Sequence, residues 1–258
     1  MKKDIMYMIF VPLFLLLIVY PIVALLGRLS IDGITRTFAD PYFIDAIINT
    51  IIAACLAALL SLTLAIGFGY CHLFKRDTLV YKLANLMNDL PISLPHTVAG
   101  LALLLAFGRK AFGFLGPTGL AFSMIALVLA MFFVSYPLAA RAMASGVENI
   151  EREIIDVART LGDTPAKAYF RVVIPLLGES MFSGFVLSFS RSISEFAAVI
   201  MFGGNLPGST QVLASYVFSK VEEGELQMAI TASGFCILLS LVLVYVMWLT
   251  SRRLFKNA

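Results

Sequence analysis

The sequence predicts an all-α, polytopic membrane protein: six transmembrane helices and one polar loop on the cytoplasmic side. Three observations predict it. The 258 residues are 60% hydrophobic and 14% charged, with a mean hydropathy of +0.93, whereas a soluble domain is roughly half apolar and about a quarter charged. Six apolar runs reach or approach the ~20 residues that a bilayer core requires. The cationic residues are also unevenly shared between alternate connections. Lys2, Lys3, Lys75, Arg76, Lys82, Arg141, Arg152, Arg159, Lys167, Arg171, Arg252, Arg253 and Lys256 fall on one side. Arg28, Arg36, Arg109, Lys110 and Lys220 fall on the other, and Arg191 lies inside a span. The positive side is the cytoplasmic one, so both termini are expected inside.

The first span is expected at about Ile5–Leu26, behind Lys2 and Lys3. It is long enough to cross and no small-residue cleavage site follows, so it reads as a retained span rather than a signal peptide. The second, Ile44–Cys71, carries Ala53, Ala54, Ala57, Ala58, Ser61, Ala65, Gly67 and Gly69. Small residues let helix backbones approach in lipid, either within one bundle or against a second copy. The third, Pro91–Phe107, opens with Pro91, Ser93, Pro95 and His96. Two prolines four apart break the helical ladder, and opened backbone at membrane depth is tolerated only against protein or a watery cavity. His96 there is a lining residue or a proton relay. The fourth span is expected at Leu120–Ala140, the fifth at Leu177–Phe202 and the sixth at Gln227–Thr250. The whole of residues 1–258 forms one domain without an internal repeat, interrupted by the polar loop at about 141–176.

The fifth span holds the sharpest intramembrane signal. Arg191 and Glu195 are spaced i,i+4 and share a helix face, with Ser188, Ser190, Ser192 and Ser194 around them. Such a pair either locks the bundle or lines a path. The connection after it contains Gly203, Gly204, Asn205, Gly208, Thr210 and Gln211. That segment is either an ordinary turn cluster or a set of backbone donors for an anion or an external partner.

In the polar loop, Val147, Ile150, Ile154, Ala158 and Leu161 recur at helical spacing among acids and bases, which predicts an amphipathic helix over about Glu148–Leu161. Gly162 stops it. Asp163 or Thr164 then caps a second helix that starts on Pro165 and ends at Pro175. Ala166, Tyr169, Phe170 and Val173 share a face of that helix, an exposed aromatic face in need of a partner.

Several functions are excluded. The net charge of +3 is too small to argue for nucleic acid. Cys55, Cys71 and Cys236 are dispersed in apolar runs and form neither a disulfide nor a metal framework. Nucleophile, base and orienting group do not coincide in any motif, so no catalytic residue is assigned. The Walker A pattern G-x-x-x-x-G-K-[ST] is missing, so ATP hydrolysis is not expected of this chain.

The run Asp156-Val-Ala158-Arg-Thr-Leu-Gly162, followed by Ile174-Pro175, resembles the EAA loop of prokaryotic ABC importer permeases, with Asp156 in place of the usual glutamate and Val157 in place of the first alanine. The segment Arg191-Ser-Ile-Ser-Glu195-Phe196-Ala-Ala, then Met201-Phe-Gly-Gly204-Asn205-Leu-Pro-Gly208-Ser-Thr210-Gln211, is similar to the molybdate and tungstate permeases. Ser194 and Ala197 stand where that group usually has glycine. Sulfate and thiosulfate permeases share the arginine–glutamate core but resemble the outer loop less. The resemblance implies a prokaryotic cell-membrane permease that imports a tetrahedral oxyanion as a homodimer. Its partners would be two ATPase subunits, which bind the ATP and Mg, and an external oxyanion-binding protein. It implies ATPase coupling through Asp156, Ala158, Gly162, Asp163, Thr164, Pro165, Ala166, Lys167, Tyr169, Phe170, Arg171 and Pro175. The path would run past Ser93, Pro95, His96, Ser190, Arg191, Ser194 and Glu195. Gly203, Gly204, Asn205, Gly208, Thr210 and Gln211 would meet the external protein. A secondary transporter or channel would need no ATPase, and an intramembrane hydrolase would need a nucleophile.

Overall fold

The computed structural model of the chain describes residues 9–254. Lys2, Lys3, Lys256 and the start of the expected first span lie outside them. Among the described residues the regular structure is helical, and the only strand-like feature is one isolated bridge between Gly108 and Gly119. The helices are α1 (Ile9–Leu26), α2 (Ile31–Ala39), α3 (Pro41–Phe74), α4 (Leu79–Ser93), α5 (His96–Phe107), α6 (Met124–Glu148), α7 (Arg152–Thr160), α8 (Pro165–Leu176), α9 (Gly178–Ile193), α10 (Ala197–Gly203), α11 (Leu213–Glu222) and α12 (Leu226–Leu254). Four of them, α1, α3, α6 and α12, are long and apolar enough to cross a membrane outright, and the bent pairs α4–α5 and α8–α9 raise the number to as many as six where each pair is counted as one span.

The centre of the bundle is α3, α6 and α9. Ala53, Ala54, Ala57, Ala58 and Ala65 of α3 are fully buried, as are Ala126, Ala130, Ala139 and Ala140 of α6. Small side chains here bring backbones together, as the second span predicts. At 34 residues, α3 is about 50 Å long, well beyond a hydrocarbon core of ~30 Å. It starts where Asp40 Oδ1 accepts from the Tyr42 amide (3.0 Å).

The spans are more broken than the sequence predicts. Leu94 is forced into extended backbone by Pro95, and α4 meets α5 there at 118°. Pro91 interrupts α4 near Asp89. The fourth span begins at Met124, not Leu120, because Phe122 takes a left-handed φ of 61° and Ser123 Oγ caps α6 by accepting from Ala126 (3.3 Å). It continues past Ala140 to Glu148, so Arg141–Glu148 belong to the span rather than to the polar loop. The loop helix is therefore shorter than predicted: the chain leaves α6 at Asn149 and restarts at Arg152. That break turns the helix. Ile155 is the buried residue of α7, while Ile154 and Leu161 are 41% and 84% exposed.

Pro175 does not end α8. The helix runs on to Leu176 and bends by 75° into α9. The fifth span in turn splits at Ser194–Phe196 into α9 and the short α10. Two amphipathic helices at the opposite end from the loop, α2 and α11, have no counterpart in the sequence reading.

Candidate functional site: a charged break and a helical loop

The two helix breaks meet. Ser188 of α9 is level with Ser135 in the middle of α6, to whose carbonyl it donates (3.0 Å). Gly203 at the end of α10 lies against Leu127. His96, at the start of α5, and the break at Ser194–Phe196 lie between these levels, deep in the bundle. Gly100 of α5 has no room for a side chain: a Cβ would lie 2.8 Å from the Ala198 Cα, and this contact draws α5 against α10.

At the junction, Arg191 Nη2 donates to Glu195 Oε2 at 2.8 Å. His96 Nδ1 lies 3.1 Å from the same oxygen and 2.9 Å from Arg191 Nη2. Glu195 Oε1 accepts from the Ala198 amide (3.0 Å), satisfying one of the donors at the start of α10. Arg191 Nη1 donates to Ser194 Oγ (3.1 Å). The Glu195 side chain is 1% exposed, against 25% for Arg191 and 32% for His96. The cluster thus presents its donors outward and keeps its carboxylate behind them. The structure brings His96, Arg191, Ser194 and Glu195 together. Ser93 and Pro95 lie at the α4–α5 bend, with Ser93 Oγ donating to the Asp89 carbonyl (3.4 Å), and Ser190 sits one turn below Ser194 beside a cleft of about 380 Å³.

The loop forms a tight two-helix unit. Gly162 has φ +98°, its amide donates to the Arg159 carbonyl (3.1 Å), and the Asp163 amide donates to that of Ala158 (3.2 Å). Together these bonds make a Schellman turn, which glycine enters without strain. Thr164, rather than Asp163, caps α8: its Oγ1 accepts from the Lys167 amide (3.4 Å). Asp163 instead faces Arg171 at 3.8 Å. Asp156, Ala166 and Lys167 are exposed on the unit. The expected exposed aromatic face is only half present. Tyr169 is fully buried; its hydroxyl donates to the Ile66 carbonyl (2.7 Å) and its ring meets Tyr70 edge-on. Phe170 is 61% exposed.

The glycine-rich connection is likewise more structural than predicted. Thr210 and Gln211 are buried. Thr210 Oγ1 donates to the Gly203 carbonyl (2.7 Å) and accepts from Leu206 (3.1 Å). Asn49 Nδ2 of α3 donates to the carbonyls of Ser209 (3.0 Å) and Gln211 (3.1 Å). Asn205 Nδ2 donates to Ser219 Oγ (2.9 Å), and Gly203 packs on Leu127. Gly204 and Asn205 are half-buried, and Gly208 is at the exposed tip with Leu206, Pro207 and Ser209.

A family model described as the inner membrane component of binding-protein-dependent transport systems matches residues 61–256. The chain belongs to that family. This permease is 30% identical over 222 residues to the molybdate/tungstate transport system permease protein WtpB of Pyrococcus abyssi, covering 84% of this chain and 85% of that one. It is 29% identical over 236 residues to a probable sulfate transport system permease protein of Nephroselmis olivacea, covering 88% and 82%. Its fold matches a bacterial alginate ABC transporter solved in complex with an alginate pentasaccharide-bound periplasmic protein, with a TM-score of 0.79, 16% identity, and coverage of 100% of this chain and 97% of that one.

Sequence reasoning missed two polar clusters of the permease. At the loop end, the buried His72 joins the Tyr81 hydroxyl through Nδ1 and Glu148 Oε1 through Nε2 (3.0 Å), and Arg76 also reaches Glu148 (3.4 Å). Arg141 clamps Asp89 and Asn85 nearby. These bonds tie α3, α4 and α6 together just above the loop. At the other end, Asp40 accepts from Tyr216 (2.8 Å) and pairs with Lys220 (3.3 Å), which also meets Glu223 (2.9 Å). Burial depresses the Lys220 ammonium, but its hydrogen bonds to Glu223 and Asp40 outweigh that and hold it above the ordinary lysine range. Only the i,i+3 spacing of Lys220 and Glu223 was visible in sequence.

Proposed function

We propose that this permease imports a tetrahedral oxyanion, molybdate or tungstate, as one half of a homodimer driven by two ATPase subunits that bind the ATP and Mg. An external binding protein delivers the anion to the end carrying Gly208. The observation that carries the reading is the meeting of two broken helices at Arg191, His96 and Ser194 deep in the bundle. Broken helices at membrane depth belong beside a cavity or path. The Arg191-x-x-x-Glu195-Phe196 run and the loop that follows support an oxyanion, as do the substrates named for the relatives.

Coupling follows from the loop. Ile154, Val157 and Leu161 share one exposed face of α7, and Phe170 is exposed on α8; these apolar side chains suit helix-in-groove docking to an ATPase. The Gly162 turn fixes the angle between α7 and α8, and the Asp163–Arg171 pair holds it. Tyr169 ties α8 to α3 at Ile66. Movement of a docked ATPase subunit therefore reaches α3 and α6 rather than dissipating in the loop. The bias of cationic side chains makes this end of the bundle the cytoplasmic, ATPase side. ATP favours one orientation only so far as the docked states differ in affinity.

Sulfate is the second reading, favoured by sulfate permease relatives at nearly equal identity. The deciding experiment reconstitutes the permease with its ATPase and binding protein and compares ATP-driven uptake of labelled tungstate, molybdate and sulfate. Preference for tungstate and molybdate is expected. Preference for sulfate selects the second reading, and equal uptake without the ATPase would make the chain a channel or secondary carrier.

A further inference from the structure

We infer that Arg191, held in place by His96 and Ser194, forms a transient resting site for the oxyanion, whose grip is weakened by Glu195 acting as a buried counter-charge behind it. The inference rests on the import reading above and assigns the affinity of that same site.

The geometry divides the cluster into a front and a back. The guanidinium and imidazole are partly exposed, while the carboxylate is sealed at 1% exposure. Both carboxylate oxygens are occupied, Oε2 by Arg191 and His96 and Oε1 by the Ala198 amide. An anion arriving from the open side meets the guanidinium edge first, because the Ser194 hydroxyl already donates to the Arg191 carbonyl (2.9 Å) and both His96 nitrogens face Arg191 or Glu195. A guanidinium has five N–H groups in one plane, suited to a tetrahedral oxyanion; Glu195 takes one at 2.8 Å, Ser194 Oγ another at 3.1 Å, and His96 lies 2.9 Å from Nη2, which leaves the remaining N–H groups for the anion.

Charge then decides how long the anion stays. Arg191 alone, at this depth and away from bulk water, would hold a dianion tightly, and a path conducts only if each site releases what it binds. Glu195 cancels the unit charge of Arg191 while occupying one of its five N–H donors. Donors remain and the net charge does not. A purely structural pair locking α5 to α9 would need no such front and back arrangement, because both partners could be sealed, as Glu195 is.

The test uses the reconstituted permease–ATPase complex and labelled tungstate. Glu195→Gln leaves an amide oxygen for Ala198 and removes the counter-charge. The variant complex, washed free of binding protein, is expected to retain tungstate, while its ATP-driven uptake falls about tenfold. Arg191→Gln combined with Glu195→Gln should retain none and should transport faster than Glu195→Gln alone. Ser194→Lys adds a unit charge from the exposed side and leaves the buried pair intact, so it decides the matter even if Glu195→Gln fails to assemble; it too should retain tungstate. Uptake lost equally in the single and double Gln variants with no retention, or wild-type uptake by Ser194→Lys, overturns the inference alone. Absence of ATP-driven uptake of any of the three oxyanions by the wild type overturns the parent reading and this one with it.

Discussion

Tyr169 shows how one side chain joins the loop to the bundle. Its hydroxyl reaches the Ile66 carbonyl at 2.7 Å over Gly69, where an added Cβ would lie 2.7 Å from that same hydroxyl oxygen. Gly69→Ala should therefore push the ring outward and lower the melting temperature of the purified permease, at a cost of about 1–3 kcal/mol for overpacking. Tyr169→Phe removes both the clash and the hydrogen bond, alone costing about 1 kcal/mol. The double variant should melt above Gly69→Ala alone; additive losses would show that the two residues do not press on each other. Gly162 is the second residue with a measurable role. At φ +98°, alanine costs about 1–3 kcal/mol, and nothing lies within 4 Å of its Cβ position, so only backbone strain is added. Gly162→Ala should lower the melting temperature and weaken the coupling of ATP hydrolysis to uptake.

The α7 helix shows what periodicity can and cannot say. The apolar stripe Ile154, Ala158, Leu161 is present, but it points away from the chain, and Ile155 packs inward in its place. A phase carried through from Val147 fails because the ladder stops at Asn149 and restarts after Glu151, whose side chain gives no cap; without a Ser, Thr, Asp or Asn in that position the break has no sequence signal. The Gly162 turn and the Thr164–Pro165 start were legible because each relies on a residue with special backbone chemistry. The same contrast divides the two broken spans. Pro95 announces the bend before α5, while the break at Ser194–Phe196 contains neither proline nor glycine and is held by Glu195 on the Ala198 amide. The exposed stripe yields a prediction at this scale. Leu161→Asp and Phe170→Asp alter only exposed positions and should cost less than about 0.5 kcal/mol in the bundle. They should abolish co-purification of the ATPase subunits. Retained ATPase with coupled hydrolysis would show that docking uses another surface.

Over the whole molecule, the span count was legible because a bilayer imposes length and apolarity on every crossing segment. What lies side by side was not: His96 and Arg191 are 95 residues apart, and no local rule pairs them. Orientation stands between these cases, since it rests on cationic side chains whose bias acts during insertion. The structure adds a geometric constraint to that bias. The α7–α8 loop lies beyond the Glu148 end of α6, whereas Gly208 packs beside Tyr42 at the start of α3, so the two lie at opposite ends of the bundle. One labelling experiment on intact cells can therefore test the whole topology. With Cys55, Cys71 and Cys236 replaced by alanine, Leu161→Cys should react with an impermeant maleimide only after the membrane is opened. Gly208→Cys should react from outside in intact cells. Both positions are exposed, so accessibility within the protein does not limit either reaction. The reverse pattern would invert the permease and place the ATPase surface on the wrong side for cytoplasmic ATP. Labelling of both positions from one side would mean that the count of crossings between them is even rather than odd, and the bend at Ser194–Phe196 would then have to return the chain to the side it came from.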